Sequence, residues 1–353
     1  MRQLRVLFLT EGKEVPASRF RAEQFFPHFR RLGVECQLLG GYGRLYNRVH
    51  ASPVGPPYKL IARVKRAAAG VLGVRYDVVF VQRPAIPHTA LPECLLSHAN
   101  PRIVFDFDDA IWLGPGGRSS LLRRRAFDRV VRCARWVVAG NNYLAAKAAA
   151  PEKTTVLPTV VDVERYVPAS KAAGRPLIVG WMGTAGNLGF LRDVMPGVLK
   201  AVREVPGARL RIVSNARLDA YEGHPLVEQI SWRGQDEVRL LQSFDLGLMP
   251  LPDDELTRGK CGFKMIQYMA VGAAVVASAV GANPELFEGS GAGELVAAGG
   301  SFEEPVRRLL ADHSARARAS QLGRAHAVSN FGLGRVAERY VEIFERVART
   351  TSI

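Results

Sequence analysis

Apolar positions along the chain fall into two rhythms. Unbroken apolar runs occur at "RVLFLT" from Arg5, "VECQLLG" from Val34, "YDVVFVQ" from Tyr76, "RIVFDFD" from Arg102 and "RWVVAGN" from Arg135. They are rich in Val, Ile, Leu and Phe, as strands buried on both faces of a parallel sheet are. Between the first two, Phe25, Phe29 and Leu32 recur at helical spacing and stop at Gly33. Strands alternating with helices predict a doubly wound α/β domain over residues 1–165. The stretch "YVPASKAAGRP" from Tyr166 has no period and predicts a linker at 166–176. A second series follows over 177–332: "LIVGWMG", "LRIVSN", "QISWRG", "DLGLMPL", "AAVVAS" and "GELVAA". From Leu333 to the end, Val336, Tyr340, Ile343, Phe344 and Val347 make one apolar stripe of a helix, with Arg and Glu opposite. The expectation is two Rossmann-like α/β domains facing a cleft, with ligands at the carboxyl ends of the strands.

Length agrees, since 353 residues exceed what one ordinary core holds. No apolar run is long enough to cross a membrane, and the N-terminal apolar stretch is short, followed by Glu11 and Glu14, unlike a secretory leader. Cys36, Cys94, Cys133 and Cys261 form no CxxC pair and read as reduced thiols of a cytoplasmic protein. Charge changes the picture more. Residues 1–170 hold 26 Lys and Arg against 13 Asp and Glu, whereas residues 171–353 hold 22 against 20. The basic excess belongs to the first half and calls for an anionic partner there.

The stretch "RGKCGFKMIQYMAVGAAVVAS" from Arg258 reads as a loop to Gly262, a helix from Phe263 to Val271 and a buried strand. Lys264 and Gln267 are three apart and share a helix face. Free N–H groups and partial positive charge at a helix start suit a phosphate, and Arg258, Lys260 and Lys264 add cations. Gln267 could then hold ribose hydroxyls. The turn Gly183 to Asn187 in "GWMGTAGNLGF" also follows a strand and opens a helix, with Thr184 or Asn187 to cap it. The glycines there read GxxGxxG, and no acidic residue ends the next strand, which argues against a nicotinamide enzyme.

Together "GKCGFKMIQYMAVGAAVVAS", "VGANPE", "GWMGTAGNL" and "VLPTVVDVERY" resemble the GT-B glycosyltransferases, above all the family 4 group, over nearly the whole chain. The resemblance implies a C-terminal domain that holds a nucleotide-diphosphate sugar, an N-terminal domain that holds the acceptor, and a last helix (333–353) crossing back to the first domain. It puts Lys264 on the diphosphate and Gln267 near the ribose. The chain departs from the family where many members carry two glutamates eight positions apart. Gly259 and Gln267 stand there, and the Arg and Lys usual after the first strand of the second domain are absent from "GTAGNLGF".

Three aspartates crowd "RIVFDFDDAIW". Strand alternation puts Asp106 and Asp108 on one face, Phe105 and Phe107 on the other, and Asp109 at the strand end. Related enzymes often carry a His-Asp pair at this strand end, and the resemblance lines Asp108 up with that histidine. Asp108 is therefore expected to orient or deprotonate the acceptor hydroxyl, with Asp106 and Asp109 holding neighbouring groups. Crowding should raise at least one of the three pKa values. Asp-x-Asp also carries metal in a different glycosyltransferase fold, but Lys and N–H groups can neutralise a leaving diphosphate, so no metal or other cofactor is expected. A haloacid-dehalogenase-like phosphatase with Asp106 as nucleophile and Asp108 as acid is the alternative. Against it, Ala110 replaces the usual Thr or Val, and the motif sits on the fourth strand rather than the first.

Ser18, Arg19 and Arg21 follow the first strand and could grip an anionic acceptor. Asp253 to Glu255 reads as a solvated turn or a loop over the donor. In "RSSLLRRRAFDRVVRCARWVV" from Arg118, Leu122, Ala126, Val130 and Cys133 form an apolar stripe and Arg125, Arg129 and Arg132 a basic face. That face and the basic half suit anionic lipid headgroups. No nucleic-acid module is recognisable. The sequence thus points to a cytoplasmic glycosyltransferase, peripheral on the inner face of the membrane. Its partners would be a nucleotide-sugar donor and a glycan or lipid-linked acceptor in cell-surface polysaccharide or glycolipid synthesis. A catalytically silent nucleotide-sugar-binding protein is the remaining alternative.

Overall fold

Each of the two strand series closes into its own six-stranded parallel sheet. The computed structural model describes residues 3–43, 45–49, 52–172 and 174–349. Its two compact units are Met1–Thr159 with Gly259–Cys261 and Leu333–Ile353, and Val160–Arg258 with Gly262–Gly332. Ala173 of the expected linker and the last four residues of the expected final helix lie outside the described residues.

The first unit contains β1 (Leu4–Thr10), β2 (Val34–Gly40), β3 (Val78–Gln82), β4 (Ile103–Phe107), β5 (Trp136–Ala139) and β6 (Thr154–Val156), ordered β2-β1-β3-β4-β5-β6. The second contains β7 (Ile178–Met182), β8 (Arg209–Ser214), β9 (Val227–Ser231), β10 (Leu246–Met249), β11 (Ala274–Ser278) and β12 (Gly293–Val296), ordered β12-β11-β10-β7-β8-β9. Strand order reverses between β1 and β3 in one sheet and between β7 and β10 in the other. At such switch points the connecting helices leave to opposite faces and open a crevice at the carboxyl edge.

The helices of the first unit are α1 (Pro16–Arg21), α2 (Phe26–Arg31), α3 (Tyr46–Val49), α4 (Gly55–Ala69), α5 (Leu91–Ala99), α6 (Leu121–Cys133) and α7 (Asn142–Ala148). Those of the second are α8 (Leu188–Glu204), α9 (Glu237–Gln242), α10 (Glu255–Arg258), α11 (Phe263–Ala270), α12 (Asn283–Phe287), α13 (Glu303–Ala311) and α14 (His313–Asn330); α15 (Leu333–Ala348) returns to the first. Side chains close several starts: Asn141 Oδ1 accepts from Leu144 N at 2.7 Å for α7, and Asp312 Oδ1 from Ala315 N at 2.9 Å for α14.

All five apolar residues of the α15 stripe are buried. Phe344 meets Phe8, Phe29 and Phe80 at ring distances of 5.9, 5.6 and 6.1 Å, and Tyr340 meets Phe25 at 5.4 Å. Edge-to-face pairs of this kind add about 0.5–1.5 kcal/mol each beyond area burial. The other core, around β7, β8 and α8, is aliphatic: Leu191, Met195, Val198 and Val202 pack on Val179, Leu210 and Ile212.

Candidate functional site

At the switch point of the first unit, Arg66 reaches in from α4, almost wholly buried. Its Nη2 donates to three carbonyls: Leu9 O at 3.0 Å, Gln82 O at 2.6 Å and Arg83 O at 2.6 Å. One guanidinium thus ties the carboxyl ends of β1 and β3 together. It also supports the backbone of Arg83, a non-glycine residue at φ +60°. Such a conformation is costly and persists only where the surroundings enforce it.

The turn aims the Arg83 side chain at three carboxylates. Its Nη1 donates to Glu11 Oε2 at 3.2 Å; its Nη2 donates to Asp108 Oδ1 and Asp109 Oδ2, both at 2.7 Å, and its Nε to Asp108 Oδ1 at 3.2 Å. Burial alone would lower the Arg83 pKa, but Asp108, Glu11 and Asp109 together raise it well above its ordinary value. Lys260 Nζ completes the group at 2.9 Å from Asp109 Oδ1. Burial would push Asp109 up, yet Lys260 and Arg83 outweigh it and hold this carboxyl below its ordinary value. Lys260 is raised in turn, chiefly by Asp109. Both Arg83 contacts to Asp108 fall on Oδ1, so Oδ2 remains to accept from a hydroxyl.

The loop bearing Lys260 is fastened at this edge by more than the ion pair. Asn141 Nδ2 donates to Lys260 O at 3.0 Å, and Cys261 Sγ to Asp108 O at 3.1 Å. Lys260 therefore stands with Asp108 and Asp109, in ion-pair contact with a carboxylate.

Asp106 corrects the sequence reading. It has no exposed surface. It accepts from Arg21 Nε at 3.1 Å, Arg21 Nη2 at 2.5 Å and the Tyr340 hydroxyl at 2.9 Å. Burial raises its pKa, with Asp108 a lesser contributor, so desolvation rather than crowding dominates. The expected shared face for Asp106 and Asp108 fails because β4 ends at Phe107: Asp106 turns into the core while Asp108 lies beyond the pleat. A side chain sealed in this way cannot serve as a nucleophile. Arg21 is corrected with it. One per cent exposed, it also donates to Leu157 O at 2.7 Å and grips the protein's own interior rather than an acceptor. Ser18 is buried as well, with its hydroxyl on Gln82 Oε1 at 3.1 Å. Arg19 is half-buried, 4.8 Å from the centre of the Phe20 ring.

In the second unit the turn after β7 exposes Thr184, Ala185 and Gly186. Neither Thr184 nor Asn187 caps the helix through its side chain; Asn187 Nδ2 instead meets Thr184 Oγ1 at 3.4 Å, and a 3-10 turn leads into α8. A Cβ on Gly183 would lie 2.3 Å from the Trp181 ring, so only glycine lets the chain pass there. Gly262 starts α11 at φ +61° with no side-chain cap, and Lys264, half-buried, lies in the first turn.

Gln267 turns inward, and its amide is engaged within the protein rather than open to a ribose. It is buried, donating to Glu237 Oε1 at 3.1 Å and facing the Tyr166 hydroxyl at 3.4 Å, which itself donates to Glu237 at 2.5 Å. Its three-residue offset from Lys264 matches the helix, but the rotation carries it to the inner face. Arg258 is paired with Asp253, its Nε at 2.6 Å and Nη2 at 3.0 Å from the two carboxylate oxygens, in an exposed turn. Asp254 Oδ1 accepts from Thr257 N at 2.8 Å and orders that turn.

Residues 173–312 match the family model of the glycosyl transferases group 1. The fold of the whole chain is similar to that of HepE from Anabaena (TM-score 0.69, 14% identity, covering 97% of this chain and 99% of that one), solved with UDP and glucose. It is also similar to sucrose-phosphate synthase from Thermosynechococcus elongatus (TM-score 0.72, 14% identity, 98% and 99%). AviGT4, a glycosyltransferase involved in avilamycin A biosynthesis, is 19% identical at a TM-score of 0.64, covering 98% of both chains. The chain has the GT-B fold. No curated protein matches the GT-B chain in sequence.

Arg83, Glu11 and Arg66 are the members of this GT-B site that the sequence reading passed over. The signal was faint: Glu11 and Arg83 each directly follow a predicted strand at the carboxyl edge, where a search for charged residues would have found them.

Proposed function

We propose that the protein transfers a sugar from a nucleotide-diphosphate sugar to a hydroxyl acceptor. The observation that carries this reading is the group 1 glycosyltransferase match, lying on a sheet in the strand order of dinucleotide-binding folds. The second unit holds the donor: main chain at Gly183–Asn187 approaches it, and Lys264 with the uncapped start of α11 takes up charge on the leaving diphosphate. These groups supply the neutralisation a metal would otherwise give, so the reaction runs without one. In the first unit Asp108 Oδ2 accepts the hydrogen of the acceptor hydroxyl, with Arg83 fixing Oδ1 and Asp109. The acceptor oxygen bonds to the anomeric carbon as the bond from that carbon to the diphosphate breaks, and the hydroxyl proton passes to Asp108. Arg19, at the same edge, contributes to holding the acceptor.

The net charge of the first half favours an anionic acceptor, a glycan or a lipid-linked sugar at the inner membrane face, as in cell-surface polysaccharide or glycolipid synthesis. HepE has been solved with UDP, which makes uracil the first base to try.

Release of nucleoside diphosphate from UDP-, GDP- and ADP-sugars, with extracted membrane lipids as acceptor source, tests the reading. Wild type should turn over one donor, and Asp108→Asn should lose at least about a hundredfold while still binding that nucleotide. Turnover with none, but retained nucleotide binding, would favour the silent binding protein.

A further inference from the structure

The α4 helix is built inside out. Its inward positions are Gly55, Ala62 and the charged Arg66, all buried, with Tyr58 half-buried on Tyr42, whereas the aliphatic Leu60, Ile61 and Val64 point outward at 58%, 69% and 53% exposure. Its spacing places Pro57, Leu60, Ile61, Val64 and Ala68 on one outer stripe. A helix of a soluble domain ordinarily shows the reverse. Arg66 explains the inner face, because the switch point needs its guanidinium. Nothing inside the unit explains the outer one.

The stripe does not stop with the helix. In the 3-10 turn that follows, Val71 and Val74 are 73% and 51% exposed, and on the adjacent α5 Leu91 and Leu95 are 61% and 63% exposed. Exposed single aliphatics are normal on any protein; a run of them on neighbouring elements marks an interaction surface.

The charges around it choose the partner. Between Glu35 and Asp77 the sequence has no acidic residue and seven basic ones. Lys65 is exposed beside the stripe, and Lys59 and Arg63 flank it half-buried. A second copy of this chain on a two-fold axis would set this basic segment against itself, and like charges across an interface cost several kilocalories. Apolar side chains rimmed by cations fit an interface that is apolar beneath and anionic at its surface. That is the chemistry of an anionic lipid bilayer, entered at headgroup depth rather than crossed. Among the described residues no helix is long and apolar enough to cross one.

We infer that the outer stripe of α4, with the turn after it and the start of α5, is a docking surface for anionic membranes. It differs from the arginine face of α6 read in the sequence: Arg125, Arg129 and Arg132 are exposed there, but the buried stripe of that helix is Ala126, Phe127, Val130 and Val131. Leu121 and Leu122 are exposed only at the start of α6, and along its arginine face that helix offers charge, whereas α4 offers a continuous stripe of side chains to insert.

Co-sedimentation of the full chain with vesicles tests the inference and needs neither nucleotide nor sugar, so it can fail or succeed apart from the transfer reading. Wild type should pellet with phosphatidylcholine vesicles containing phosphatidylglycerol and hardly at all with phosphatidylcholine alone. Leu60→Gln/Ile61→Gln/Val64→Gln should weaken the anionic partition by at least about tenfold at unchanged charge. Lys59→Gln/Lys65→Gln should weaken it by roughly fivefold for each charge removed, and Arg125→Gln by no more. All substituted side chains lie at the surface, and thermal unfolding checks that each variant folds. Binding by the triple Gln variant equal to wild type would overturn the assignment. So would a wild-type dimer that this variant dissociates, with no vesicle binding by either, because the stripe would then be a self-interface.

Discussion

Replacing Asp106 by Ala separates a structural aspartate from a chemical one. Asp106 accepts three hydrogen bonds in a site without solvent, two from Arg21 and one from Tyr340. Removing the carboxylate leaves the Arg21 guanidinium buried without its counter-charge, which costs about 3–5 kcal/mol, since an unpaired buried charge is worse than no pair. The Tyr340 hydroxyl loses its acceptor too, but that loss belongs to the same network and is not added separately. For a unit of this size each kcal/mol moves the melting temperature by about 2–4 °C, so the shift should be roughly 6–20 °C. Calorimetry is the suitable assay, because two units can unfold as two transitions and only the first unit's should move. Arg21→Met/Asp106→Leu should regain most of the loss, since an apolar pair of similar volume replaces a buried ion pair at little cost. Melting within about 2 °C of wild type in Asp106→Ala would refute the reasoning. A folded Asp106→Ala protein with normal melting but no turnover would instead return Asp106 to the chemistry.

Two further outcomes follow from the same geometry. Gly262→Ala should destabilise the second unit by more than the roughly 1–2 kcal/mol of a left-handed backbone, because its Cβ would also fall 2.2 Å from Leu286 Cδ1; an unchanged melting temperature would show that the turn relaxes. Asp109 is held below its ordinary pKa, so its pairing with Arg83 and Lys260 stabilises the fold fully above the unfolded value of about 4 and is lost as pH falls through the lower folded value. Asp109→Asn should therefore flatten the acid limb of a stability–pH curve below about pH 4; an unaltered limb would mean that the pair contributes nothing.

Much of this was legible in the residues, and the parts that were not share a cause. Eleven strands were read from the sequence, most of them as apolar runs because both faces of the inner strands are covered. The edge strands β2 and β9 are part-exposed and carry Glu and Gln among their apolar residues. The twelfth, Thr154–Val156, is half-buried and opens with two threonines, so it made no apolar run. The α15 stripe was readable because one face of that helix is wholly buried. Side-chain destinations were harder. Gln267 and Arg21 are polar residues at positions facing inward, and a sequence does not display the partners, Glu237 and Asp106, that make such burial tolerable. Arg83 escaped notice because its role rests on a strained turn held by Arg66, and Arg66 looked like one more charge on a basic helix. Cys94 and Cys133 are 39 positions apart yet sit with their sulfurs 2.7 Å apart, which spacing alone could not reveal.

In the proposed reaction the second unit binds a nucleotide-diphosphate sugar through Lys264 and the start of α11. Thermal unfolding with UDP, GDP and ADP, each with and without Mg²⁺, tests it most directly. At a hundredfold excess over its dissociation constant a ligand adds about 2.7 kcal/mol, a shift of several degrees. One nucleotide should give this shift without metal, and Lys264→Ala should abolish it. No shift with any nucleotide, beside a clear one with inorganic phosphate and Mg²⁺, would contradict it.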